Sequence, residues 1–122
     1  MKKMPPLLKT AVAAIADVKG LDVRVMDVRK LTVITDYMVV CTGTSNRHVK
    51  SIADRVIEDA KAAGHRPRGV EGMDGGEWVL VDLVDVVVHV MQAQTRVFYQ
   101  LEKLWEMPEP AERPAAKKRA AR

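Results

Sequence analysis

Only one cysteine, Cys41, stands among the 122 residues, so no disulfide can form within the chain. It lies in the apolar run Met38-Val39-Val40-Cys41, and reads as a buried structural thiol of a reducing compartment. Aromatic residues make up 4% of a chain that is 48% apolar, so Val, Leu, Ile, Ala and Met must fill the core. Long hydrophobic runs are missing as well. Asp82 and Asp85 break the longest one, which stays short of the roughly 18 residues of a membrane span. The opening Met1-Lys2-Lys3-Met4-Pro5-Pro6 carries basic residues but lacks the apolar stretch of a secretory signal. These absences lead to the expectation of a soluble, cytoplasmic chain without membrane contact, long enough for one domain with a real core.

The net charge of +4 raises the question of nucleic acid, and its distribution answers it. From Pro108 onward Arg113, Lys117, Lys118, Arg119 and Arg122 face only Glu109 and Glu112, so that segment carries +3 and residues 1–107 carry +1. With Pro108, Pro110, Pro114 and many alanines, residues 108–122 cannot bury enough to fold; a disordered basic tail is expected, offering at most a peripheral contact to RNA. Residues 1–107 form the expected domain.

Within that domain the apolar pattern changes period several times. Pro5 and Pro6 suit a helix start, Leu8, Ala11, Val12, Ile15 and Ala16 recur at helical spacing, and Gly20 supplies a stop. Residues 21–29 alternate as a half-exposed strand, and a second strand covers residues 37–42. Ser45 or Asn46 can cap a helix whose Val49, Ile52, Ala53, Val56, Ile57 and Ala60 follow the i, i+3, i+4, i+7 pattern up to Gly64. A short strand is expected at residues 68–71. Strands at 78–83 and 86–91 follow, the brief Val84-Asp85 link favouring a tight hairpin. Thr95 can cap a last helix carrying Val97, Phe98, Leu101, Leu104 and Trp105. The order α-β-β-α-β-β-β-α implies an α+β fold: one mixed sheet with flanking helices.

Two places could carry chemistry. Strand, Gly43-Thr44-Ser45 turn and helix start together make a phosphate cradle, because backbone N–H groups and the helix dipole converge there. A nucleotidyltransferase would follow such a turn with two carboxylates at Asp-x-Asp spacing to hold metal ions. None follows; Asp54, Glu58 and Asp59 lie well down the helix, so a structural cap is preferred over a nucleotide site. The second place is Asp82, Asp85 and His89, whose residue types could ligate a metal but equally suit a strand with one core histidine. Cys41 in apolar surroundings is a poor nucleophile, and His48, His65 and His89 lack ligand spacing. No catalytic residue, metal site or cofactor is assigned, and a binding module is favoured over an enzyme. Of the five aromatics, Trp78, Phe98, Tyr99 and Trp105 lie beyond residue 77. If the Val79 face of its strand is core, Trp78, Leu80 and Asp82 point the other way, toward a covering helix or a partner.

The chain also resembles a known family, on Thr35-Asp36-Tyr37, Thr42-Gly43-Thr44-Ser45-Asn46-Arg47-His48, Glu71-Gly72, Trp78-x-Leu80-x-Asp82, Asp85-Val86-Val87-Val88-His89 and Arg96-x-Phe98-Tyr99-x-Leu101-Glu102-x-Leu104-Trp105. In order and spacing these blocks look like the ribosomal silencing factor family, RsfS (YbeB or iojap-like), over residues 7–105. Met38 and Met91 depart from it, where the family often has phenylalanine, a tolerable change of volume. Residues after Met107 lie outside the quoted blocks. The resemblance implies a nucleotidyltransferase-like fold without the catalytic carboxylates. It implies a factor that binds the large ribosomal subunit through ribosomal protein uL-fourteen, blocks the small subunit sterically and represses translation under nutrient limitation. The resemblance also implies a homodimer when free. The partner surface is expected at Trp78, Leu80 and Asp82, extending to His89, Arg96 and Tyr99, with Gly43, Thr44 and Ser45 a vestigial phosphate turn. The alternative is a nucleotide-binding protein or degenerate nucleotidyltransferase using that turn.

Overall fold

The structure, a computed structural model, describes residues 4–99, with Phe98 and Tyr99 by backbone alone. The expected apolar positions Leu101, Leu104 and Trp105, and the tail at 108–122, lie outside the described residues. Eight elements follow in order: α1 (Pro6–Asp17), β1 (Leu21–Asp27), β2 (Tyr37–Gly43), α2 (Asn46–Ala62), β3 (Gly69–Glu71), β4 (Trp78–Asp82), β5 (Val86–Gln92) and α3 (Ala93–Tyr99). The α+β order is the expected one, and the five strands form one mixed sheet ordered β1-β2-β5-β4-β3.

The centre of the sheet is a parallel pair. β2 lies beside β5 from Tyr37↔Val86 to Gly43↔Gln92, while every other neighbouring pair is antiparallel. β2 and β5 are buried along almost their whole length, which explains their unbroken apolar runs. One face carries Val39, Cys41, Val79, Val81, Val88 and Val90, and packs on Leu8, Ala11 and Ile15 of α1 and Val49, Ile52 and Val56 of α2. The opposite face holds a smaller cluster of Met26, Val28, Met38, Val40 and Met91, with Trp78 packed against it. Burying a Val or Leu side chain contributes about 1.5–3 kcal/mol, so the larger, helix-covered face dominates stability.

Several boundaries differ from the sequence expectation. α1 does end ahead of Gly20 as expected: Lys19 takes the left-handed conformation (φ 61), its N–H donates to Ala16, and Gly20 N–H donates to Ile15 O at 2.9 Å. Of the expected apolar positions Leu8, Ala11 and Ile15 are buried and Val12 packs against the core, while Ala16 is exposed and Leu7 and Ala14 join the buried stripe. β1 is irregular. Its register shifts between Leu21 and Arg24, where Asp22 has φ 47, and Met26 is its one buried residue. α3 begins directly after β5, two residues before the expected Thr95 cap, and Val97 is 68% exposed.

The β4–β5 hairpin is tighter than its two expected link residues suggest. Asp85 N–H donates to Leu83 O at 3.0 Å, closing a γ-turn around Val84, which sits at φ 76. Asp85 O then accepts from the N–H groups of Asp36 and Tyr37, which locks the turn to the start of β2. No helix among the described residues is long and apolar enough to cross a membrane.

Candidate functional site

β4 fixes the main site by its alternation. Val79 and Val81 are fully buried toward the helices, so Trp78, Leu80 and Asp82 emerge on the opposite face, each half-buried. Pairing with β5 sets Trp78 opposite Met91, Leu80 opposite His89 and Asp82 opposite Val87. Trp78, Leu80, Asp82 and His89 therefore share one patch, as the sequence suggested.

Their roles within that patch differ. The Trp78 indole N–H donates to His89 Nδ1 at 2.9 Å, with ring centroids 5.9 Å apart and planes tilted by 50°. His89 is only 5% exposed, so it lies beneath the surface. Burial pushes its pKa down to about 4, which leaves the ring neutral near neutral pH. An indole N–H can only donate, so Nδ1 is the acceptor and the proton sits on Nε2. The Asp82 carboxylate is also engaged within the chain: Oδ1 accepts from Val84 N–H at 2.9 Å, and Oδ2 from Arg68 Nε at 3.1 Å, with Arg68 Nη2 at 3.0 Å. Asp82 thus braces the strained hairpin while one edge of it still meets solvent.

Arg96 stands apart from this patch. At 9% exposure, it donates through Nη1 to Thr42 Oγ1 at 2.9 Å and to Asp22 O at 2.6 Å. That ties α3 to β1 and β2 on the sheet face that also bears Met91 and Trp78. The Tyr99 side chain lies outside the described residues.

Sequence reasoning missed two neighbours. Glu71 of β3 pairs opposite Leu80 and is exposed on the same face, and Arg68 holds Asp82. The strand carrying Glu71 is three residues long, too short for its alternation to reveal a face. Gly72 belongs to the support of Trp78. A Cβ on it would lie 2.0 Å from Trp78 O, so only glycine lets the β3–β4 turn pass that carbonyl.

Asp82 and His89 thus face Arg68 and Trp78, and among the described residues no group of three or more His, Cys, Asp or Glu could hold a metal ion. Cys41 is fully buried in the helix-side core, and desolvation pushes its thiol up to about 12.

The Gly43-Thr44-Ser45 turn is filled from inside the protein. Ser45 caps α2, its Oγ accepting from His48 N–H at 3.1 Å. Thr44 N–H, which a phosphate would need, donates to His48 Nδ1 at 2.9 Å. His48 Nε2 in turn lies 2.7 Å from Val18 O, so a backbone N–H and a carbonyl together fix the neutral tautomer protonated at Nε2. A Cβ on Gly43 would meet Val49 Cγ2 at 2.8 Å, Val49 N at 3.0 Å and Val49 Cα at 3.1 Å. Glycine is required here for the close approach of helix and strand. Beside the turn, the Gln92 side-chain amide donates to Asn46 Oδ1 and to Gly76 O, joining the end of β5 to the start of α2.

Comparison with known proteins places these features in a family. The family model described as "Ribosomal silencing factor during starvation" (RsfS) matches residues 1–122. The chain is similar to the ribosomal silencing factor RsfS of Haemophilus influenzae, 48% identical over 87 residues, covering 71% of this chain and 85% of that protein. The RsfS of Chromobacterium violaceum is 47% identical over 103 residues, 84% of each chain. Among solved structures, a crystal structure of a Chromobacterium violaceum protein superposes with a TM-score of 0.83 at 43% identity, covering 96% of this chain and 98% of that one. A crystal structure from Bacillus halodurans gives a TM-score of 0.75 at 37% identity, covering 81% and 92%.

Proposed function

We propose that this chain, which belongs to the ribosomal silencing factor (RsfS) family, is a cytoplasmic, non-enzymatic translation regulator that works by steric exclusion. It binds the large ribosomal subunit through ribosomal protein uL-fourteen, keeps the small subunit away and represses translation when nutrients are scarce. The observation that carries this reading is the half-buried Trp78-Leu80 pair, presented on a sheet face beside the exposed Glu71 and the Asp82–Arg68 pair. An amphipathic anchor next to an aliphatic side chain, inside a charged rim, is what a protein–protein hot spot requires.

Trp78→Ala tests it by co-sedimentation with separated ribosomal subunits. The wild type is expected to travel with the large subunit and to be absent from assembled ribosomes. The variant is expected to bind at least about tenfold more weakly while staying folded, the scale of a hot-spot truncation. Equal binding by the folded variant would move the interface off this strand.

The free protein is proposed to be a homodimer, which sedimentation equilibrium measures directly. The tail at 108–122 is proposed to add only a peripheral contact with ribosomal RNA. Against the nucleotide alternative stands the engagement of the N–H groups of His48 and Thr44 by Ser45 Oγ and the His48 ring.

A further inference from the structure

We propose that His89 is a positioning residue: it does not touch the partner itself but pins the Trp78 indole in the orientation that the partner meets. This rests on the reading of the Trp78 face as the binding surface. His89 is almost completely buried, so direct contact with a docked protein is closed to it. Its Nδ1 nevertheless reaches the one polar atom of the half-buried Trp78 ring, at 2.9 Å. The two residues sit on adjacent antiparallel strands, Trp78 opposite Met91 and His89 opposite Leu80, a diagonal pair within reach of large side chains.

The chemistry of the pair is directional. Indole carries a donor and no acceptor, so His89 can hold it only as the neutral ring with a lone pair on Nδ1. Burial among Val40, Leu80 and Met91 on the same face favours that neutral form, in agreement with its depressed pKa. Trp78 packs against the cluster that holds Met91, its cross-strand partner, so packing and the hydrogen bond together fix the ring. Binding then orders one bulky side chain fewer, and that pre-organisation strengthens association.

The test joins a spectroscopic reading to a binding one. In the wild type, the Trp78 indole N–H, assigned by its loss in Trp78→Phe, is expected to exchange with solvent much more slowly than a free indole. His89→Phe keeps a ring of similar size and removes the acceptor. It is expected to speed that exchange and to weaken large-subunit binding roughly three- to tenfold, the effect of one additional side chain to be ordered. His89→Asn places Oδ1 close to where Nδ1 stood and is expected to restore both readings.

Free-indole exchange in the wild type, or full binding by a folded His89→Phe, overturns the proposal. Should His89→Phe fail to fold, the wild-type exchange rate and the His89→Asn binding still decide it. A wild type that does not bind large subunits refutes the functional reading and the partner half of this one, while the exchange rates separately judge the pinning.

Discussion

His89 titrates differently in the folded and unfolded chain, and the sign of the effect follows from its burial. The unfolded imidazole takes a proton near 6.5, the folded one only near 4. Its contribution to stability is therefore complete above about 6.5 and drains away as pH falls toward 4. Between about pH 7 and pH 5 the protein is expected to lose roughly 2 kcal/mol through this group. Urea unfolding at both pH values measures the loss, and His89→Asn, which does not titrate, is expected to flatten the difference. Gly43 is constrained by space instead. Gly43→Ala sets a methyl group against the backbone and side chain of Val49 and is expected to destabilise by about 1–3 kcal/mol in thermal unfolding. None of this was visible from residue types. A histidine on an apolar strand and a glycine in a turn are ambiguous until distant elements supply their neighbours.

Among the elements, α2 and the hairpin it faces were the most legible, because their signals are local. Ser45 three residues before His48, whose N–H donates to the Ser45 hydroxyl, and the 3.6-residue repeat from Val49 to Ala60, specify a helix without outside help. Ser45→Ala is expected to cost about 1 kcal/mol of stability, read as a lowered melting temperature. The hairpin was expected from its short link, but its strain was not. A β-branched Val84 at φ 76 stores strain, and its side chain is exposed enough to contribute little packing. Val84→Gly is expected to stabilise by about 1 kcal/mol, the relief exceeding the extra entropy of glycine in the unfolded chain. The irregular β1 and the early start of α3 escaped prediction for one shared reason. Each is set by tertiary ties: the Arg96 link to Asp22 and Thr42, and the anchoring of Gln92 to Asn46 and Gly76.

For the molecule as a whole, period alone gave the element order and the face on which Trp78 lies, but it could not give the order of strands. Nothing in the residues around Tyr37 announces that their neighbour is the run beginning at Val86. Nor could it separate the surface part of the candidate site from its support, since the depth of His89 and Arg96 depends on what covers them. At this scale the proposed division of labour between domain and tail can be tested. A chain ending at Met107 is expected to keep most of its large-subunit binding and to show a shallower dependence on salt. Loss of binding on truncation would shift the interface to the basic tail.

The parallel pairing of β2 with β5 also bears on how the protein is made. β2 is an interior strand of the sheet, yet its neighbour β5, the middle strand, is synthesised long after it. A growing chain that has not reached Val86 holds β2 with one open edge, and β4, which carries Trp78, has no strand linking it to β1 and β2. The Trp78 face thus exists only once translation of β5 is complete, and an interrupted product lacks the assembled surface proposed to meet the partner.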